Sequence, residues 1–197
     1  MNGSSVKPET PVSFRRGEKC SWLCVIADSS EEVIDKLGLK NPRVCGWSSA
    51  AESECGIFVS PVLDGYVLVV DWNADIRESV RKPIDETAQS FSEFQFFRFE
   101  SSFDAYEWAR YINGNLVRAY GFCGETLSFL ADFGELTSEE LELRFDRFPK
   151  RGESFDPVTF IPPLENDLFN LAAAWGIDTS FTRKTYPEST GFLCDIN

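Results

Sequence analysis

The chain has 197 residues, 43% of them hydrophobic and 14% aromatic, with eighteen Phe. That is too apolar for disorder, and one domain of this length buries roughly 70% of the surface its unfolded form exposes. Thirty-two acids against nineteen bases give a formal charge of −13, which repels nucleic-acid phosphates and anionic lipid and leaves a basic protein surface as the matched partner.

Residues 1–19 are rich in Ser, Pro, Gly and charge without periodicity, which predicts a flexible or loosely docked lead-in to a single domain over 20–197. Residues 21–27, SWLCVIA, read as a buried strand. A helix follows at once: Ser29 and Glu32 have capping-box spacing, Val33, Ile34 and Leu37 share a face, and Gly38 supplies a left-handed stop. Residues 39–55 read as a loop anchored by Trp47. Residues 56–60 and 66–72 form a strand pair, the second apolar on both faces and therefore interior to its sheet. A helix begins near Asp75 and is ended, or restarted, at Pro83.

In residues 93–99, EFQFFRF, alternation sends Phe94 and Phe96 to one face and Phe97 and Phe99 to the other. Residues 104–125 carry the clearest signal, two alternating runs around Asn113-Gly114, the pair that tolerates the positive φ angles of a type I′ hairpin turn. Uninterrupted pairing would set Arg110 opposite Val117 and Trp108 opposite Ala119. Glu107, Tyr111, Arg118 and Tyr120 would then share a face, with Glu107 and Arg118 as diagonal neighbours. A further strand is expected near 126–130, a capping box at Thr137 and Glu140 opens a short acidic helix, and 149–163 is loop. Leu164, Leu168, Leu171, Ala172 and Trp175 recur at helical spacing before Gly176. Segregated strands and helices predict an α+β fold, a largely antiparallel sheet with a central hairpin near 104–123 packed against a few helices.

The chain contains no histidine. That removes Ser-His-Asp and Cys-His catalysis, the commonest general base and a common metal ligand. Cys20 and Cys24 lack the second closely spaced pair of a zinc site, and the six cysteines read as mostly reduced core thiols. Asp71, Asn73 and Asp75 imitate the start of a calcium loop, but Ile76 stands where its glycine belongs and Lys82 where its bidentate glutamate belongs. There is no glycine-rich phosphate loop and no G-x-S-x-G elbow. Catalytic residues, metal and cofactors are accordingly expected to be none. The apolar run after Arg15-Arg16 is too short to span a bilayer and leads into Asp28, Glu31 and Glu32, so a cytoplasmic location without membrane contact is expected.

Two candidate sites remain. Between residues 125 and 146 lie Glu125, Asp132, Glu135, Glu139, Glu140, Glu142 and Asp146 against Arg144 alone. From Asp132 onward those six acids are the expected surface for a basic partner, although a solvated helix face would look the same in sequence. The other candidate is the polar set of the hairpin, Glu107 and Arg118 with Tyr111 and Tyr120, which reads either as a cross-strand ion pair or as a small-molecule or carboxylate-based catalytic site.

Three stretches, GIFVSPVLDGYVLVV at 56–70, FQFFRFESSFDAYEWARYINGNLVRAYGFCGE at 94–125 and LAAAWGIDTS at 171–180, resemble a family of uncharacterised bacterial proteins. The resemblance implies a bacterial, single-domain, cytosolic protein and no particular chemistry. In its small size and acidity the chain is similar in character to bacterial immunity proteins. The leading expectation is therefore a non-enzymatic module that masks a basic toxin domain.

Overall fold

The computed structural model describes residues 6–53, 55–73, 75–79, 83–154 and 159–195. Strand β1 (Lys19–Ile26) shows how the molecule is layered: Cys20, Trp22 and Cys24 enter one core and Leu23 and Val25 the other, because successive side chains leave opposite faces of a strand. Eight further strands join it, namely β2 (Lys40–Cys45), β3 (Ile57–Val59), β4 (Tyr66–Asp71), β5 (Glu93–Glu100), β6 (Ala105–Ile112), β7 (Asn115–Cys123), β8 (Ser128–Phe133) and β9 (Gly191–Asp195). They form one sheet in the order β2-β9-β3-β4-β1-β5-β6-β7-β8, with every neighbouring pair antiparallel.

Helices cover both faces. α1 (Ser30–Leu37), α3 (Ile76–Ser79) and α4 (Ile84–Ala88) pack Val33, Ile34, Leu37, Ile76 and Ala88 with Leu23, Val67, Val69, Phe94 and Phe96. α2 (Trp47–Ala51), α5 (Ser138–Glu142) and α6 (Glu165–Trp175) lie on the opposite, tryptophan-rich face. There Trp22 is sandwiched between Phe97 at 5.2 Å and Phe169 of α6 at 5.3 Å, both nearly parallel, a stacking that adds to simple area burial. The architecture is α+β on an antiparallel sheet. Phe94 and Phe96 do part from Phe97 and Phe99, and β4 does lie inside the sheet.

Local signals account for the helix ends. Ser29 Oγ accepts the Glu32 amide at 3.1 Å, and Gly38 stops α1 at φ 69°. In α5 both halves of the capping box form: Thr137 Oγ1 accepts the Glu140 amide at 3.2 Å, and Glu140 Oε2 accepts the Thr137 amide at 2.8 Å.

Three expectations need correction. The hairpin β6-β7 exists, with φ of 49° at Asn113 and 75° at Gly114, but it holds the seventh and eighth places, and the middle of the sheet is β1. Residues 39–55 contain β2 and α2 rather than a bare loop, and β9 was not anticipated. The flexible lead-in is a docked strap from residue 6 onward: Phe14 is fully buried against Trp22 and Trp72, and Glu9 pairs with Ser189. Its residues 1–5 lie outside the described residues, as do 80–82 at the expected end of the Asp75 helix. The expectation that the cysteines lie mostly in the core agrees with the fold: Cys20, Cys24, Cys123 and Cys194 are buried, Cys45 is half-buried and Cys55 exposed.

Candidate functional site

The hairpin register decides what the four polar residues can do. Ile112 pairs with Asn115 and Tyr111 with Leu116, but Arg110 then pairs with Arg118, leaving Val117 as an extra residue in β7. Such a bulge reverses the facing of everything beyond it. Arg118 and Tyr120 therefore join Trp108 on the tryptophan face, while Glu107 and Tyr111 stay on the other with Ala109 and Ala119. The expected diagonal contact between Glu107 and Arg118 does not form.

On the tryptophan face, Arg118 is 3% exposed and Glu140 fully buried. Arg118 Nε donates to Glu140 Oε1 at 3.0 Å and Oε2 at 3.2 Å, and Trp108 Nε1 donates to Oε1 at 2.8 Å. With the Thr137 amide on Oε2, all the accepting directions of Glu140 are occupied. Arg118 Nη1 donates in addition to the carbonyls of Ala119, Phe133 and Gly134 and to Asp132 Oδ1. Beside this pair lies a cleft of about 390 Å³ lined by Arg118, Tyr120, Asp132, Lys150 and Arg151 among others. The Tyr120 hydroxyl donates to the Pro149 carbonyl at 2.9 Å, and burial pushes its pKa up, so the phenol is a structural donor.

On the opposite face Glu107 is 7% exposed and lines a second cleft of about 420 Å³. Arg77 Nη1 donates to its Oε1 at 2.8 Å, whereas its buried Oε2 has no hydrogen-bond partner among the described residues. Burial pushes the Glu107 carboxyl above its ordinary range against the pull of Arg77. Tyr111 donates its hydroxyl to Asp85 Oδ1 at 2.6 Å. Burial and that carboxylate both push the phenol pKa up.

The six acids expected to meet a partner are dispersed by the fold. Glu140 is removed from the surface altogether, a correction explained by its service as the counter-ion of Arg118. Asp132 accepts the Arg151 amide at 2.9 Å as well as Arg118. Glu139 lies 3.5 Å from Arg110, and Asp146 pairs with Arg144. Glu135 and Glu142 remain exposed with no ion pair among the described residues. Arg147, Lys150 and Arg151 also follow the acidic run directly in sequence, and Arg151 folds back onto β8 through Asp132 and the Phe129 carbonyl.

A surface feature that the charge count did not reveal lies beside them. The two outer strands differ. β2 carries Lys40, Pro42 and Arg43, the residues that discourage strand pairing. β8 instead exposes Leu130 at 43% and Phe133 at 53%, and Val117 of the adjacent bulge and Leu141 of α5 are exposed too. Reading β8 as a strand expects these residues to alternate; its place at the sheet edge, which leaves them uncovered, needs the topology.

Among the described residues no group of three His, Cys, Asp or Glu is placed to hold a metal, and no helix is long and apolar enough to cross a membrane. Burial pushes Cys20 and Cys24 well up and Cys194 up to about 11, which suppresses their thiolates. Comparison with protein-family models, with curated proteins and with solved structures finds no match.

Proposed function

We propose that the protein is a non-enzymatic binding module that recognises a basic protein partner along its β8 edge. The observation that carries this reading is the contrast between the outer strands: β2 is blunted by Lys40, Pro42 and Arg43, whereas β8 presents Leu130 and Phe133. Exposed apolar side chains on an edge strand favour an apolar contact, more than strand addition here because of the bulge at Leu130 and the Arg151 contact with the Phe129 carbonyl. The overall charge of −13, with Glu135 and Glu142 exposed next to β8, favours a cationic partner and speeds its encounter. Masking of a toxin domain by an immunity protein is the form of this function to test first, with expression inside the cell that makes the toxin.

The experiment is co-expression with the product of the neighbouring gene, scored for protection from toxicity and for a purified complex. Wild type protects and forms a complex that weakens as salt is raised. Phe133→Ser paired with Leu130→Ser loses both effects while keeping the wild-type circular dichroism spectrum. An absence of protection together with an absence of complex at low salt overturns the reading, and so does a complex indifferent to both substitutions.

A further inference from the structure

The second cleft contains an unmet acceptor in a hollow built from small side chains. Across β6, β7 and β8 two rows face it: Glu107 pairs with Gly121 and Gly121 with Ala131, while Ala109 pairs with Ala119 and Ala119 with Phe133. Gly121 is required opposite Glu107, since a Cβ there would stand 2.9 Å from Glu107 Cγ. The alanines leave a shallow apolar floor, walled by Ile84 and Asp85 of α4, by Tyr111 and by Arg77. At about 420 Å³ the hollow falls in the range of ordinary small-molecule sites, roughly 300–1,000 Å³, which combine apolar walls with a few fixed polar groups.

Its electrostatics select the sign of a ligand. Among the described residues the cleft is lined by two carboxylates, Glu107 and Asp85, and one cation, Arg77. Arg77 is shared, because its Nε also donates to Asp75 Oδ1 at 2.9 Å. Arg98, opposite Glu107 on β5, is committed to Asp75 at 3.3 Å and to Glu100. The hydroxyl of Tyr111 is spent on Asp85. What the described residues of the cleft offer a ligand is therefore one buried acceptor, Glu107 Oε2, above an apolar floor. A buried carboxylate oxygen without a donor is costly, and a ligand N–H that reaches it removes that cost.

We propose that this cleft binds a small organic cation, a primary amine or amidine on an apolar body, with its N–H donating to Glu107 Oε2 and its body lying on Ala109, Ala119 and Ala131. The proposal is independent of the β8-edge partner. A protein can bind the amine and lack the partner, or the reverse.

Calorimetric and NMR titrations of the full chain with benzylamine, benzyl alcohol and benzoate test it. Wild type binds benzylamine saturably, and about ten- to a hundredfold more tightly than benzyl alcohol, the discrimination expected of one charge-assisted hydrogen bond in a dry site. Benzoate does not bind. Glu107→Gln brings benzylamine down to the level of the alcohol. Ala131→Leu, which fills the floor and keeps the Glu107 carboxylate, weakens both. If Glu107→Gln does not fold, the Ala131→Leu comparison decides alone. Absence of saturable benzylamine binding, equal binding of amine and alcohol, or indifference of the amine to Ala131→Leu overturns the proposal and leaves Glu107 as the structural partner of Arg77.

Discussion

The two faces of the β6-β7 hairpin carry the same chemical ingredients, an arginine and a glutamate, in opposite conditions. On the tryptophan face Glu140 receives four hydrogen bonds, from Arg118, Trp108 and the Thr137 amide, and is wholly enclosed. On the other face Glu107 receives one from Arg77 and keeps one oxygen unmet beside a cleft. A buried ion pair with every valence filled serves to hold α5 and β7 together. A pair left half-filled gives up stability and retains the capacity to bind.

Breaking the filled pair has the largest expected effect. Glu140→Ala leaves the buried Arg118 guanidinium with Asp132, 3.3 Å away, as its remaining counter-ion and removes half of a capping box, so chemical denaturation is expected to show a loss of about 3 kcal/mol. Replacing both partners, Arg118→Met with Glu140→Leu, removes the charge that Glu140→Ala leaves buried. The double variant is expected to be more stable than Glu140→Ala by about 2 kcal/mol or more. A double variant no more stable than the single would mean that Arg118 is held by Asp132 and its carbonyl contacts and not by Glu140.

Crowding the half-filled pair ranks next. Gly121→Ala places a methyl group 2.9 Å from Glu107 Cγ and 3.0 Å from Leu130 Cβ, and overpacking of this kind costs about 1–3 kcal/mol in thermal or chemical unfolding. Removing the unmet charge has the smallest effect. Glu107→Gln is expected to change stability at neutral pH by no more than about 1 kcal/mol, because Asp75 remains to pair Arg77.

Its signature is in the pH dependence. The folded state holds the Glu107 proton more tightly than the unfolded state, whose carboxyl titrates near 4.5. Folded wild type therefore loses stability as pH rises from 4.5 through the raised value, and Glu107→Gln flattens that window. Asp75 has the opposite sign. Although burial raises it, Arg77 and Arg98 hold it below 3.8, and its contribution disappears only as pH falls under that value. Denaturation midpoints measured across pH 3–8 separate the two; an unchanged slope in Glu107→Gln would refute the desolvated state of Glu107.

What was legible in the sequence was local. The Thr137–Glu140 capping box, the Ser29 half of the other, the Asn113-Gly114 turn, the division of the four phenylalanines in β5 and the helix before Gly176 depend on neighbours within a few positions, and each formed; Glu32 instead accepts the Asp28 amide. What failed depended on one residue or on distance. Val117 is unremarkable as a letter, yet as the extra residue in β7 it moves Arg118 and Tyr120 through the sheet and divides the expected site in two. Strand β2 was masked by Pro42 and by its own exposure, and β9 is a short run whose partners lie more than 130 residues earlier. Charge arithmetic placed Glu140 on the surface because a sequence cannot show that Arg118 and Trp108 face it.

The position of β9 also constrains the order in which the molecule can be finished. It is the last of the nine strands along the chain, and it sits inside the sheet, between β2 and β3, with antiparallel pairing to each. While the chain is being made, β3, β4, β1, β5, β6, β7 and β8 can associate as soon as they emerge, whereas β2 has no described neighbour until residues 191–195 arrive. Closure of that side, together with the link from Ser189 to Glu9, thus waits until residues 189–195 have been made. A ribosome-bound chain stalled before Gly191 would show its β2 segment as the part most open to proteolysis.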